Sequence, residues 1–122
     1  MASQKAQPAI RLALSKIGTV TTASWWEPFS RRRMDVWGIA DLELICPGVI
    51  GTIYVQCTTH AGISSHKKKL LESPMLPLLV NVGNHVWLIA KSGHFRYFDV
   101  TPGNCLEYTS LVGLVNAAKI PF

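Results

Sequence analysis

Residues 35–69 read D-V-W-G-I-A-D-L-E-L-I-C-P-G-V-I-G-T-I-Y-V-Q-C-T-T-H-A-G-I-S-S-H-K-K-K. The pattern is that of two strands followed by a basic helix. Period two over Ile39 to Ile45 puts Asp41 and Glu43 on one face and Ala40, Leu42 and Leu44 on the other. Pro47-Gly48 turns the chain. In the next strand, Thr52 to Thr59, one face carries Ile53, Val55 and Cys57, and the opposite face carries Tyr54, Gln56 and Thr58. The short link predicts an antiparallel hairpin whose two polar faces open on one cleft. Ser64 to Ser73 reads as a short helix with Leu70 and Leu71 on its apolar side and Ser64 or Ser65 as its cap.

Upstream, Ile10, Leu14 and Ile17 fall at helical spacing, so Gln4 to Ile17 reads as an amphipathic helix stopped at Gly18. Pro8 suits only about the first turn of such a helix. Thr19 to Trp26 is rich in strand formers and Glu27-Pro28 ends it, leaving Phe29 to Met34 as a basic connection. Downstream, Leu76 to Val82 suits a strand or a helical turn equally. His85 to Lys91 and His94 to Val100 read as a hairpin around Ser92-Gly93. After Pro102-Gly103, Tyr108 to Lys119 reads as a closing helix. The expectation is an α/β (α+β) fold, one domain over residues 1–122, with a mixed sheet flanked by helices.

The composition narrows the class. Apolar residues make up 48% of 122, which excludes a disordered chain and supplies a core. No apolar run approaches the ~18 residues of a membrane span, and Leu12 to Leu14 is too brief for a signal-peptide core, so a cytoplasmic protein with no membrane partner is expected. Cys46, Cys57 and Cys105 are too far apart for a zinc module, and an odd count argues against a disulfide framework, which leaves buried thiols. The net charge is +5, and Arg31, Arg32, Arg33 with Lys67, Lys68, Lys69 supply six of the twelve basic residues. Two such clusters beside a polar cleft suit a polyanion such as DNA, or else form solvated surface.

Hydrolysis of a phosphodiester with a hard cation needs converging oxygen ligands and a positive group near the phosphate. Asp41 and Gln56 offer side-chain oxygens, Cys57 offers its backbone carbonyl, and Lys67 or Lys69 lies one helix later. In this respect the chain resembles the PD-(D/E)XK nuclease superfamily, small phage and bacterial nuclease-like proteins and Holliday-junction resolvases in particular. Gly38-Ile39-Ala40-Asp41-Leu42 matches the Asp-bearing hairpin strand, and Gln56-Cys57-Thr58 stands at the (E/Q)-x-K strand. The similarity spans roughly Arg31 to Lys91. It implies a restriction-endonuclease-like core with three antiparallel strands first. It also implies Mg²⁺- or Mn²⁺-dependent hydrolysis of DNA, with branched DNA as a candidate substrate. Asp41, Gln56 and the Cys57 carbonyl then take the metal, with Lys69 or Lys67 as the catalytic cation and the two basic clusters on DNA. Thr58 departs from the pattern, because the family's catalytic Lys stands there. The first helix also lacks the Glu that many relatives carry; Glu43 or Asp35 stands as a compensating acid.

Other readings accompany these. Asp35 suits a turn cap or a partner for the adjacent arginines. His60 and His66 flank the basic helix as surface residues, with orientation of a water as the sharper alternative. The tryptophans are chiefly core candidates, with Trp25, Trp26 and Trp37 able to stack on a base. The whole chain is alternatively a nuclease-like module without catalysis that binds nucleic acid or protein, or a plain interaction protein. Cutting two strands needs two sites, which is compatible with a homodimer through Leu76–Val82.

Overall fold

Every residue of the strand Ile53–Thr58 is buried, so this strand has both faces covered and lies inside the sheet. On one side Ile53, Val55 and Cys57 pack with Leu42 and Leu44, with Ile10 and Leu14 from the first helix, and with Leu114 and Val115 from the last. On the other, Tyr54 packs with Val86 and Leu88 and with Leu70, Leu76 and Leu79 from two central helices. Fully burying a leucine, isoleucine or valine stabilises by roughly 1.5–3 kcal/mol, so these two clusters hold the three layers together.

The structure, a computed structural model, describes the backbone of residues 2–23, 25–27, 32–34 and 37–119, and the side chains of 6–23 and 37–119. In chain order the elements are α1 (Ala2–Ser15), β1 (Thr19–Thr22), β2 (Trp25–Glu27), β3 (Arg32–Met34), β4 (Leu42–Ile45), β5 (Ile53–Thr58), α2 (Ile63–Glu72), α3 (Met75–Asn81), β6 (His85–Ser92), β7 (His94–Thr101), β8 (Asn104–Tyr108) and α4 (Leu111–Ala118). A turn of 3₁₀ helix, His60–Gly62, leads into α2. Six strands form one mixed sheet in the order β1-β4-β5-β6-β7-β8, and β2 pairs with β3 apart from it. Within the six-stranded sheet only β5 and β6 run parallel. A parallel pair needs a long crossover, which α2 and α3 provide. The single-domain α+β expectation, with antiparallel strands first and helices on the sheet, describes this architecture.

Local departures have identifiable causes. Helix α1 runs from Ala2, so Pro8 lies inside it, on an exposed position where its ring faces no packed neighbour layer. The β-rich stretch 19–26 divides: Thr19–Thr22 pairs with β4, while Trp25–Glu27 pairs with Arg32–Met34. The supposed basic connection is thus partly strand, hidden by a run of arginines that shows no apolar alternation. Alternation in β4 holds only from Asp41 onward, and Ala40 packs with Ile39 in the α2/α3 cluster rather than beside Leu42. The cap of α2 is Gly62, not Ser64 or Ser65, and the Ser65 hydroxyl donates back to the Gly62 carbonyl at 3.1 Å. Leu76–Val82 falls largely within helix α3; Leu76 and Leu79 are core, so only an outer face with Leu78 and Val82 remains for a partner. Strand β8 was hidden by its mixed polarity, and it claims Tyr108, so α4 starts at Leu111 with the Ser110 hydroxyl accepting from Gly113 N–H at 3.0 Å.

Asp99 lies on β7 between Trp87 and Leu106. Burial raises its carboxyl above the ordinary 3.8, and the charge of His85 opposes that rise. A raised carboxyl means that the folded chain holds its proton more tightly than the unfolded one. Its contribution is therefore present below the ordinary value and lost as pH rises through the raised one. Asp99→Asn removes that loss. Its denaturation midpoint is expected to exceed the parent's at pH 7 and to converge with it near pH 3; a variant less stable at pH 7 would count against burial as the dominant effect.

Candidate functional site

Asp41 sits where the chain enters β4, and the pairing of Leu42 with Val55 sets it opposite Gln56 on β5. Its backbone is fixed from both sides: Asp41 N–H donates to the Val55 carbonyl at 2.9 Å, and its carbonyl accepts from Ala23 N–H at 2.8 Å. The two side chains meet. Gln56 Nε2 donates to Asp41 Oδ2 at 2.8 Å, and the Cys57 N–H donates to the same oxygen at 2.9 Å. Asp41 is 7% exposed and Gln56 3%. The other amide atom, Gln56 Oε1, is buried and accepts no hydrogen bond from a described residue. A buried acceptor left without a partner costs about 1–3 kcal/mol, which a bound water or cation would recover; the Trp87 indole N–H is the other such group among the described residues.

Rotating the Gln56 amide by a half-turn exchanges Nε2 and Oε1. Two acceptor oxygens then face each other, an arrangement that repels by itself and that a hard cation bridges. Asp41, Gln56 and the Cys57 carbonyl therefore fit an oxygen-liganded Mg²⁺ or Mn²⁺ in chemistry. Among the described residues no group of three His, Cys, Asp or Glu stands together to hold a metal ion. The Cys57 thiol points into the α1/α4 core, away from the pair. Cys46 and Cys57 are buried and Cys105 half-buried, all as free thiols. Glu43 lies beside Tyr54 and Thr21 in the sheet register, two positions along from Asp41. Asp35 and Arg31 lie outside the described residues, and for Arg32 and Arg33 only the backbone of β3 is described.

The lysines diverge. Gln56, Leu88, Phe98 and Glu107 follow one another across β5, β6, β7 and β8. Neighbouring strands are ~4.8 Å apart, which puts Phe98 about 10 Å from Gln56 and farther still from Asp41. The Lys67 ammonium sits over the Phe98 ring, 4.8 Å from its centre. Lys67, expected beside the pair, is instead turned by α2 toward the β7–β8 side, where a ring face and Glu107 attract it. Lys68 and Lys69 go the other way, into a groove shared with Trp37 and Gly38, three or four residues before Asp41. Of the two candidates for the catalytic cation, Lys69 lines this groove and Lys67 does not.

Thr58 occupies the position of the resemblance's lysine and is 1% exposed. A Cβ on Gly62 would lie 2.1 Å from its hydroxyl oxygen, so the 3₁₀ turn is sealed directly onto this side chain. His60 stands edge-on to His94 with ring centres 4.5 Å apart and its Nε2 3.0 Å from the His94 carbonyl, while His66 Nδ1 lies 2.9 Å from the Gly62 carbonyl. Both imidazoles are committed to local backbone. Glu107 is held below the ordinary carboxylate range chiefly by its two bonds from Arg96, both 2.8 Å, on the far edge of the sheet. Trp37, weighed as core, is 51% exposed. The groove wall it shares with Glu72 and Met75 had no signal in the sequence, because it joins a turn to the end of a helix far along the chain.

No described helix is long and apolar enough to cross a membrane. Comparison with family models, curated proteins and solved structures returns no match to this chain.

Proposed function

We propose that the chain is a Mg²⁺- or Mn²⁺-dependent DNA endonuclease of the PD-(D/E)XK kind, with a restriction-endonuclease-like core and branched DNA among its candidate substrates. The observation that carries the reading is the pairing of Asp41 with Gln56 across adjacent strands, with a buried amide oxygen that no described residue satisfies. The order α1, three antiparallel strands of the main sheet (β1, β4, β5), a helical crossover and then the parallel β6 accords with it. Asp41, Gln56 and the Cys57 carbonyl would hold the ion. When bound, such an ion polarises a phosphate oxygen and makes a bound water more acidic. Asp41 supplies the formal negative charge; the Cys57 N–H orients its carboxylate, and the Val55 carbonyl holds its backbone N–H. Lys69 and Lys68 supply positive charge on the approach from Gly38, which draws a polyanion toward that groove.

A second reading, the same fold as a binding module without catalysis, is favoured by two observations. Thr58 is sealed where a lysine is expected, and Lys67 is held two strands away. The two readings part in a nicking assay on supercoiled plasmid and on a four-way junction. The endonuclease reading expects cleavage with Mg²⁺ or Mn²⁺ that stops with EDTA and falls at least about 100-fold in Gln56→Ala, in line with the loss of one positioned electrostatic contact. Metal-independent, salt-sensitive DNA binding with no cleavage would replace it by the module reading.

A further inference from the structure

Trp37 has φ +57°, the one non-glycine residue with positive φ among those described. A bulky aromatic residue in left-handed backbone is a genuine outlier, because its Cβ crowds the following carbonyl. Gly38 follows with φ +68°, so two successive residues lift the chain into the turn before β4. Burial does not offset the strain, since half of the Trp37 surface is in water. Strain of this kind concentrates where a ligand is clamped.

The indole forms one wall of a groove of about 600 Å³. Gly38, Lys68, Lys69, Glu72 and Met75 contribute to the rest. Lys68 and Lys69 are exposed on α2, and the chain carries +5 overall. The volume is that of a pocket for a single nucleotide-sized group, and it is too small for a duplex. Charge and shape choose the same occupant: an aromatic face for a base, two ammonium groups for the adjacent phosphates, and a carboxylate that repels phosphate and accepts from base N–H groups.

We infer that Trp37 is a stacking platform for one unpaired base of a single-stranded nucleic acid segment, with Lys68 and Lys69 on its flanking phosphates. This rests on the nucleic-acid reading of the chain but not on its catalysis. It assigns to the groove a preference for unpaired over duplex strands, as found at junctions, flaps and single-stranded tails.

The test is fluorescence anisotropy with a labelled 15-nucleotide DNA, the RNA of the same sequence, and the corresponding DNA duplex, at low salt without divalent metal. Trp37→Ala is expected to weaken single-strand binding about tenfold or more, the range of one base-stacking contact, and duplex binding less than about twofold. Trp37→Phe retains a ring and is expected to stay within about threefold of the parent. The Lys68→Ala/Lys69→Ala variant is expected to lower the salt slope by about 1.4, two phosphates' worth on a single strand. The preferred strand chemistry follows from the DNA and RNA arms, and a ring-dependent effect in either supports the platform. Trp37→Ala is checked by thermal melting, where an exposed position predicts little change. Single-strand affinity unchanged in Trp37→Ala, or lowered equally for duplex, overturns the platform while metal-dependent cleavage leaves the nuclease reading standing. A parent protein that binds none of the three oligomers overturns the platform as well, and cleavage of plasmid then decides the nuclease reading separately.

Discussion

Asp41→Asn is expected to lose metal-dependent cleavage while staying folded, and Asp41→Ala to lose both cleavage and about 2–5 kcal/mol of stability. The difference comes from where the hydrogen bonds land. Gln56 Nε2 and Cys57 N–H both donate to the same oxygen, Oδ2. Asparagine keeps one carbonyl oxygen with two lone pairs at that place, so both donors stay satisfied at a cost of about 1 kcal/mol. Alanine removes the acceptor and strands two buried donors, each worth roughly 1–3 kcal/mol of desolvation. Removing the negative charge does the rest: a neutral amide pair holds a hard cation far less well than a carboxylate does. Urea denaturation and plasmid nicking, run on both variants, check the two halves. Asp41→Asn cutting at the parent's rate would show that the carboxylate is a structural acceptor only.

Thr58→Lys, the substitution that makes the strand match the nuclease pattern, is expected to damage the protein rather than activate it. Thr58 is sealed from water, and its hydroxyl oxygen lies against the Gly62 backbone. A lysine there must either bury an ammonium, which costs several kcal/mol, or push the 3₁₀ turn and α2 off the sheet. Moving α2 moves Lys68 and Lys69 with it, so the expected loss includes DNA affinity. The melting temperature is expected to fall by more than about 10 °C, since 1 kcal/mol corresponds to ~2–8 °C in a domain of this size. Thr58→Val keeps the shape and serves as the mild comparison. A lysine variant that melts with the parent and cleaves faster would mean that the turn yields easily and that the missing charge limits catalysis.

Both results bear on what could be read without coordinates. The facing of Asp41 and Gln56 was legible, because period two and a short Pro-Gly link leave one sensible register for two half-polar strands. The apolar run of β6 was legible as a strand, but the open cleft expected beside Asp41, Gln56 and Thr58 is not there: α2 and α3 cover that face of β5, and all three side chains are buried. The direction of each lysine was not. Three consecutive residues on a helix point about 100° apart, and only the placement of α2 over the sheet decides that Lys67 meets Phe98 while Lys69 lines the groove with Trp37. Strands β3 and β8 were missed where arginines or mixed polarity masked alternation. The conformation of Trp37 was also out of reach, since nothing in a Trp-Gly pair announces which of the two takes positive φ; here both do.

The parallel contact of β5 with β6 carries a consequence for the order of assembly. Asp41 and Gln56 are fifteen positions apart and belong to one hairpin, a quick local closure. The parallel partner arrives only after the whole 59–84 span has looped back, and α2 has its full seat only once β6 and β7 are beneath it. A chain that has formed the hairpin carrying Asp41 and Gln56 therefore still lacks the sheet surface on which α2 and its lysines are seated.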